Sequence, residues 1–205
     1  MNRWTVVWMA AVGLLGAMGT ASAKTLPARV GAPAPDFSVT DEHGQTQSLA
    51  KQRGRYVVLE WFSPECPFVQ KHYRSGNMQR LQHEAAGRGV VWWSVDSSAP
   101  GHPGHMSQDV ARQFTAEHRA SPTAVLLDED GTVGQRYGAK TTPHLFIIDP
   151  KGILIYAGAI DDRPSVNPED AAPAKNYVRQ ALDEAMAGKP VSTPVTRPYG
   201  CTVKY

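Results

Sequence analysis

The sequence predicts an α/β domain with a central mixed β-sheet flanked by helices. Strand-like apolar runs and amphipathic helical segments alternate along the chain in the order β–α–β–α–β. A β-hairpin and a last helix follow this alternation. Because strands joined through helices run parallel and hairpin strands run antiparallel, both kinds of pairing are expected in one sheet.

Composition excludes some classes of protein. The 205 residues are enough for one domain with a proper core, and the 41% hydrophobic and 20% charged content is typical of a soluble globular protein. The net charge of +2 gives no electrostatic reason to expect a nucleic-acid partner.

Three features of the N-terminus predict a signal peptide over residues 1–23. A short basic start, Met1-Asn2-Arg3, precedes an uncharged apolar run from Trp4 to Gly19, and Ala21-Ser22-Ala23 forms a small-residue cleavage site. We therefore expect an exported, periplasmic chain that starts at Lys24 and has no stable membrane anchor. The alternative is an uncleaved anchor, although the apolar run is shorter than the roughly 20 residues that span a bilayer.

After a lead-in rich in Pro, Gly and Ala, the chain predicts an N-terminal β-hairpin. Residues 36–39 and 45–49 are its two strands, and Asp41-Glu42-His43-Gly44 is the turn between them.

The next apolar run, residues 56–62, predicts a buried central strand, and it leads to a candidate nucleophile. Ser63-Pro64-Glu65 is a tight turn, Cys66 follows, and Pro67 suits the first position of a helix. Cys66 is thus expected at a helix N-terminus, where free N–H groups and the helix dipole stabilise a thiolate. Ser63 and Glu65 border this thiol. The alternative is that Cys66 is a buried, unreactive cysteine.

The remaining elements follow in order. Ser75-Gly76-Asn77 is expected to kink or split the helix that follows Cys66. The other expected elements are a buried strand at 89–95, a helix at 108–118, a strand at 124–127, a short helix at 133–137, a hairpin of 145–148 with 153–159, and a helix at 174–187. The domain then covers residues 28–190, and residues 191–205 form a proline-containing tail that carries Cys201.

The positions of the histidines do not predict a metal site. His72 and His83 are expected at surface positions of the helices, and His102 and His105 share a loop without the cysteine or carboxylate cluster that would complete a ligand set. We expect no metal and no organic cofactor.

The two cysteines, Cys66 and Cys201, leave two alternatives open. In an exported protein they could form a structural disulfide, which would stabilise the fold by about 3–5 kcal/mol on the chain-entropy model. They could equally be an attacking thiol and its resolving partner, because sequence spacing does not give their distance in space.

At this point the sequence resembles the redoxins, the alkyl hydroperoxide reductase and thiol-specific antioxidant group. Residues 30–37 resemble the opening of that group, residues 61–67 its active-site turn, and residues 142–152 the segment of the thioredoxin fold that contains a cis-proline. Cys66-Pro67-Phe68-Val69 together with the terminal residues 200–205 is similar to the peroxiredoxin-like branch. The resemblance implies a thioredoxin-like fold.

The resemblance also implies roles for particular residues. Pro143, preceded by Thr142, would lie in the cis form beside Cys66 and leave backbone groups free to pair with a substrate strand. Ser63 would supply the hydroxyl that a threonine supplies in peroxiredoxins. Pro143 stands where peroxiredoxins have an arginine, and Arg136 is a candidate to replace that arginine in space.

This chain departs from the thioredoxin dithiol motif. Val69 and Gln70 occupy the places of the second cysteine in Cys-x-x-Cys and Cys-x-x-x-Cys motifs.

We expect the protein to act as an exported thiol oxidoreductase. Cys66 would attack a protein disulfide or a peroxide, and Cys201, on a mobile tail, would resolve the product as a Cys66–Cys201 disulfide. An external thiol reductant would reset the pair, and Glu65 would assist proton transfer. The alternative is a non-catalytic binding module in which the two cysteines form a permanent disulfide.

Overall fold

A computed structural model describes Met1 and residues 27–205, so the predicted signal peptide lies outside the described residues except for Met1. The strands are β1 (Ser38–Thr40), β2 (Thr46–Ser48), β3 (Val57–Trp61), β4 (Val91–Asp96), β5 (Ala124–Leu127), β6 (Thr141–Thr142), β7 (His144–Ile148), β8 (Leu154–Gly158) and β9 (Cys201–Thr202). The α-helices are α1 (Pro67–Arg74), α2 (Asn77–Gly87), α3 (Gln108–Glu117), α4 (Thr132–Tyr137) and α5 (Tyr177–Met186).

The central sheet has five strands in the order β5-β4-β3-β7-β8. Strands β3, β4 and β5 are parallel, whereas β7 runs antiparallel to both β3 and β8. This confirms the mixed sheet, and the separate antiparallel pair β1–β2 confirms the N-terminal hairpin. A third pairing, β6 with β9, was not expected from the sequence.

Helices cover both faces of the central sheet. Apolar side chains of α1, α2, α3 and α5 form one buried cluster with the sheet, while α4 and the N-terminal segment form the other. Strand β3 is buried at all five positions, because it lies in the middle of the sheet with side chains entering both clusters. This explains why its sequence is a continuous apolar run interrupted only by Glu60.

The predicted break after Cys66 separates two helices. Helix α1 ends at Arg74, and α2 starts at Asn77 after Gly76, whose φ of +71° is a left-handed conformation that glycine adopts without steric cost. None of the helices that the structure describes is long and apolar enough to cross a membrane.

One surface expectation was wrong. His72 is fully buried, whereas His83 is exposed as expected. The reason is that α1 is covered on two sides: its apolar side faces the core, and His72 is covered by Tyr199 of the tail and by Asp161. Helical periodicity within α1 does not show this second cover.

The central strand carries a buried carboxyl group. Glu60 accepts hydrogen bonds from Trp92 Nε1 at 2.8 Å, Ser94 Oγ at 2.9 Å and Tyr73 Oη at 3.0 Å. Burial raises the pKa of Glu60 from its ordinary 4.5 to about 7, and these hydrogen bonds oppose the rise.

The raised pKa of Glu60 predicts a pH-dependent stability. The folded protein holds the proton more tightly than the unfolded chain, so the stabilisation is complete below pH 4.5 and is lost as the pH rises through about 7. On this basis the free energy of unfolding should fall by about 3 kcal/mol from this group alone. Glu60→Gln should remove that part of the decline in denaturant titrations between pH 4.5 and 8.

Asp96 provides the control, because burial raises its pKa to about 6 and it is unchanged in the Glu60→Gln variant. The fall in the free energy of unfolding that remains in Glu60→Gln should therefore occur at lower pH, where Asp96 titrates. Identical pH profiles for the two proteins would show that Glu60 is not the titrating group.

Candidate active site around two cysteines

Cys66 lies at the carboxyl end of the central strand and begins α1. It is the N-cap residue, Pro67 occupies the first helical turn, and the Cys66 residue is 2% exposed. Its Sγ donates a hydrogen bond to the Thr142 carbonyl oxygen at 2.9 Å. The predicted strand and helix start are thus both present, but the Cys66 side chain makes no capping hydrogen bond with the first turn of α1.

The Thr142–Pro143 peptide bond is cis, as the resemblance implied. Thr142 ends β6, and β7 starts immediately after Pro143. This places the peptide unit opposite Cys66, since the carbonyl group that accepts the thiol hydrogen belongs to Thr142.

Cys201 is brought to the same place by a strand pairing. Strand β9 runs antiparallel to β6, with Cys201 directly opposite Thr142 and Thr202 opposite Thr141. The Cys201 thiol is partly buried and neighbours the Cys66 thiol, and both cysteines are free. The two cysteines, 135 positions apart in the sequence, therefore form one site with Thr142.

The environment of Cys201 suppresses its ionisation. Burial, followed by the neighbouring Cys66 thiol, raises the pKa of Cys201 to about 12, and the Lys204 ammonium group acts in the opposite direction. Cys201 is therefore a protonated thiol at neutral pH in this arrangement. Since the thiolate is the nucleophile, Cys201 is poorly suited to make the first attack.

A cavity of about 150 Å³ adjoins the two thiols. Ser63 and Glu65 line it from the turn before α1, and Thr142 and Lys204 line it from β6 and the tail. Thr142 Oγ1 is buried and has no hydrogen-bond partner among the residues that the structure describes. Because buried hydroxyl groups are normally paired, this hydroxyl group is an exception among the residues of the site.

The structure does not bring Arg136 to the thiols. Its guanidinium group is exposed and donates to the Asp36 carbonyl oxygen at 3.2 Å, because α4 packs on the other face of the sheet with the N-terminal segment.

Within residues 27–205, no group of three or more His, Cys, Asp or Glu side chains is arranged to hold a metal ion.

The tail is docked on the domain by hydrogen bonds that the sequence did not predict. The Val203 amide donates to the Lys140 carbonyl oxygen, and the Ala99 amide donates to the Lys204 carbonyl oxygen at 2.8 Å. Tyr205 Oη donates to the Ala139 carbonyl oxygen at 2.7 Å. The edge of β6 that was expected to be free for a substrate strand is therefore paired with the chain's own C-terminus.

Lys204 and Tyr199 are among the residues near the thiols that the sequence did not predict. Lys204 lines the cavity, and Tyr199 joins the tail to α1 through His72. The one available signal for Lys204 was its position three residues after Cys201, and that spacing identifies a neighbour only once the two-residue strand β9 is known.

Comparison with known proteins gives a consistent result. A model of the AhpC/TSA family matches residues 30–157, which is more than half of the chain. The thioredoxin-like protein YneN of Bacillus subtilis is 26% identical over 155 residues, covering 72% of this chain and 86% of the relative. The chloroplastic peroxiredoxin Q of Triticum aestivum is 27% identical over 134 residues, covering 62% of this chain and 57% of the relative.

Solved structures also match. An uncharacterized conserved protein from Geobacillus kaustophilus superposes with a TM-score of 0.76 and 25% identity, covering 86% of this chain and 92% of that one. The thioredoxin domain of a thiol-disulfide oxidoreductase from Bacteroides vulgatus gives a TM-score of 0.50 at 19% identity, covering 63% and 87%. The second likeness concerns the fold alone and confirms that it is thioredoxin-like.

Proposed function

The chain belongs to the AhpC/TSA family, and from this premise we propose that it is an oxidoreductase in which Cys66 and Cys201 cycle between two thiols and one disulfide. The observation that carries the proposal is the β6–β9 pairing. It sets Cys201 opposite Thr142, whose carbonyl oxygen accepts the hydrogen bond from Cys66. The two sulfur atoms are thereby held as neighbours.

In the first step, the Cys66 thiol releases to solvent the proton that it donates to the Thr142 carbonyl oxygen, and the resulting thiolate attacks. On a disulfide, a bond forms from Cys66 Sγ to one substrate sulfur, the substrate S–S bond breaks, and the departing thiolate takes a proton. On a hydroperoxide, Cys66 Sγ attacks the terminal oxygen, the O–O bond breaks, and an alcohol or water leaves; Cys66 becomes a sulfenic acid.

The second step is the same for both substrates. Cys201 loses its proton and attacks Cys66 Sγ, so the Cys66–Cys201 disulfide forms and the second substrate thiol, or water, leaves. Glu65, exposed at the rim of the cavity, is our candidate acceptor for this proton. The dithiol loses two electrons to the substrate, and an external dithiol reductant returns them.

The docked tail bears on the choice of substrate. An extended peptide that paired with β6 would have to displace β9, whereas a small oxidant needs only the cavity of about 150 Å³. We therefore propose that small oxidants reach Cys66 directly and that protein disulfides react after the tail has moved. Ser63, which lines the cavity, supplies the hydroxyl group that would contact a small oxidant.

We further infer that the protein is exported, because residues 1–23 have the three parts of a signal peptide. An oxidising compartment suits a protein whose cycle passes through a disulfide. The mass of the chain recovered from the periplasm of an expressing bacterium tests this inference. A chain that starts at Lys24 supports it, and an intact N-terminus contradicts it.

The test of the proposed chemistry is a single turnover with each class of oxidant. Reduced protein is mixed with one equivalent of hydrogen peroxide or of a small disulfide, trapped with iodoacetamide, and mapped by mass spectrometry. We expect an intramolecular Cys66–Cys201 disulfide from both. Products confined to Cys201, or an absence of reaction at Cys66, would contradict the proposal.

Lys204→Gln should slow the second step about threefold, because less of the attacking Cys201 thiol would be ionised. The reason is that the Lys204 ammonium group lowers the pKa of Cys201. The measurement is the rate of disulfide formation after rapid oxidation of Cys66, followed by quenched alkylation at low ionic strength. Lys189→Gln is the matched control, since Lys189 is an exposed lysine that lines a different cavity. Equal rates in the two variants would exclude this role for Lys204.

A further inference from the structure

Four polar side chains form a buried cluster beside the active site. Lys71, His72 and Asp161 are almost completely buried, and Lys71 Nζ lies 3.2 Å from Asp161 Oδ2. Lys71 Nζ also donates to the Arg163 carbonyl oxygen. The fourth member is Tyr199, which contacts both His72 and Asp161 through its hydroxyl group.

The direction of the hydrogen bonds in this cluster follows from the protonation state of His72. Burial and, to a smaller extent, the charge of Lys71 lower the pKa of His72 to about 3, so its ring is neutral. The Asn77 amide donates to His72 Nδ1 at 2.9 Å, so Nε2 carries the hydrogen and donates to Tyr199 Oη at 3.1 Å. Tyr199 then donates to Asp161 Oδ1. In the chain Asn77–His72–Tyr199–Asp161, each side chain donates one hydrogen bond to the next.

Tyr199 thereby joins the two segments that carry the cysteines. Its hydroxyl group is held by His72 in α1, the helix that Cys66 caps, and its ring packs edge to face on Phe68 with centroids 5.8 Å apart. Along the chain, Tyr199 precedes Cys201 by two residues. Fixing Tyr199 on α1 therefore fixes the start of β9.

Gly200 completes the connection between Tyr199 and Cys201. Its φ is +140°, and a Cβ atom at this position would lie 1.9 Å from the Thr142 carbonyl oxygen. This is the oxygen that accepts the Cys66 hydrogen bond. The backbone of the tail therefore lies directly against the acceptor at the active site, in a register that the anchor at Tyr199 determines.

We propose that Tyr199 is a positioning residue for the exchange between Cys66 and Cys201, acting through its hydrogen bonds to His72 and Asp161. This inference rests on the proposed function, because it requires that the two thiols form a disulfide. Tyr199 does not touch the reacting sulfur atoms in this scheme. It sets the effective concentration of Cys201 at Cys66 by holding the tail in its paired register.

The hydroxyl group of Tyr199 is the part that matters. In Tyr199→Phe the ring still packs on Phe68, but Asp161 Oδ1 and His72 Nε2 each lose a hydrogen-bond partner in a buried setting. Leaving these polar atoms unpaired costs free energy, and undocking of the tail removes that cost because water can then reach them. We expect the equilibrium constant for the Cys66–Cys201 disulfide to fall about tenfold, equivalent to about 1.4 kcal/mol.

The experiment equilibrates the full mature chain with glutathione buffers, traps the thiols with acid and an alkylating agent, and counts the modified cysteines by mass spectrometry. Tyr56→Phe is the matched control. Tyr56 is a partly buried tyrosine that donates one hydrogen bond, to the Ala185 carbonyl oxygen of α5 at 3.0 Å. Thermal unfolding of the reduced variants accompanies the redox titration.

The outcomes separate the two claims. A tenfold loss in Tyr199→Phe with no change in Tyr56→Phe supports the positioning role. A wild-type protein that forms the disulfide, together with an unchanged constant in Tyr199→Phe, overturns it even if the thermal midpoint falls, since a structural role alone would move only the midpoint. A wild-type protein that never forms the Cys66–Cys201 disulfide overturns the proposed function instead.

Discussion

Cys66→Ser should abolish thiol-dependent turnover of both insulin disulfides and hydrogen peroxide, with a loss of about a thousandfold or more. A serine hydroxyl group at this position keeps the size of the side chain but is not an effective nucleophile near neutral pH. The fold should survive, because a serine hydroxyl group can donate the same bond to the Thr142 carbonyl oxygen that the Cys66 side chain donates. The measurement is the initial rate with a saturating thiol reductant.

Cys201→Ser is the control that separates the two steps. It retains the first nucleophile, so Cys66 should still be consumed by one equivalent of oxidant, but the product should persist as a mixed disulfide or a sulfenic acid. Unchanged turnover in Cys66→Ser would remove the basis of the mechanism. Full turnover in Cys201→Ser would leave the first step and remove the resolving role of the tail.

Gly200→Ala should weaken the Cys66–Cys201 disulfide about a hundredfold, because the tail cannot stay in its register on β6. The added Cβ atom would meet the Thr142 carbonyl oxygen at 1.9 Å and the carbonyl carbon at 2.6 Å. Both atoms belong to rigid backbone beside Pro143, so the tail has to move instead. Equilibrium with glutathione measures the loss.

Gly188→Ala is a closely matched control for this substitution. Gly188 also has a positive φ, +74°, but a Cβ atom there meets nothing within 4 Å. It therefore carries the conformational cost without the clash at the active site. A similar loss of the disulfide in both variants would attribute the effect to general destabilisation. No loss in Gly200→Ala would show that the disulfide does not need the β6–β9 pairing.

The fold was predictable because its signals are local. The apolar run at residues 56–62, the turn ending at Cys66 and the first-turn proline each follow from one short segment. Alternating strands and helices then constrain the sheet. The split between α1 and α2 was also predictable, since Gly76 supplies the left-handed residue that the break uses.

The rest of the site depends on contacts between distant segments. The pairing of Thr142 with Cys201 involves strands of two residues, too short for any periodic pattern. The burial of His72 results from Asp161 and Tyr199, which lie far along the chain from α1. Arg136 was proposed to replace the family's arginine in space, but the sequence carries no information about which face of the sheet α4 covers.

The most direct test of the account is a redox titration of the wild-type mature chain in glutathione buffers, with the disulfide mapped by mass spectrometry. We predict one reversible two-electron transition that links Cys66 to Cys201 within a single molecule. A chain whose cysteines stay free or carry only glutathione would contradict the dithiol cycle. A Cys66–Cys201 bond that excess reduced glutathione cannot open would instead identify a permanent disulfide and a binding role.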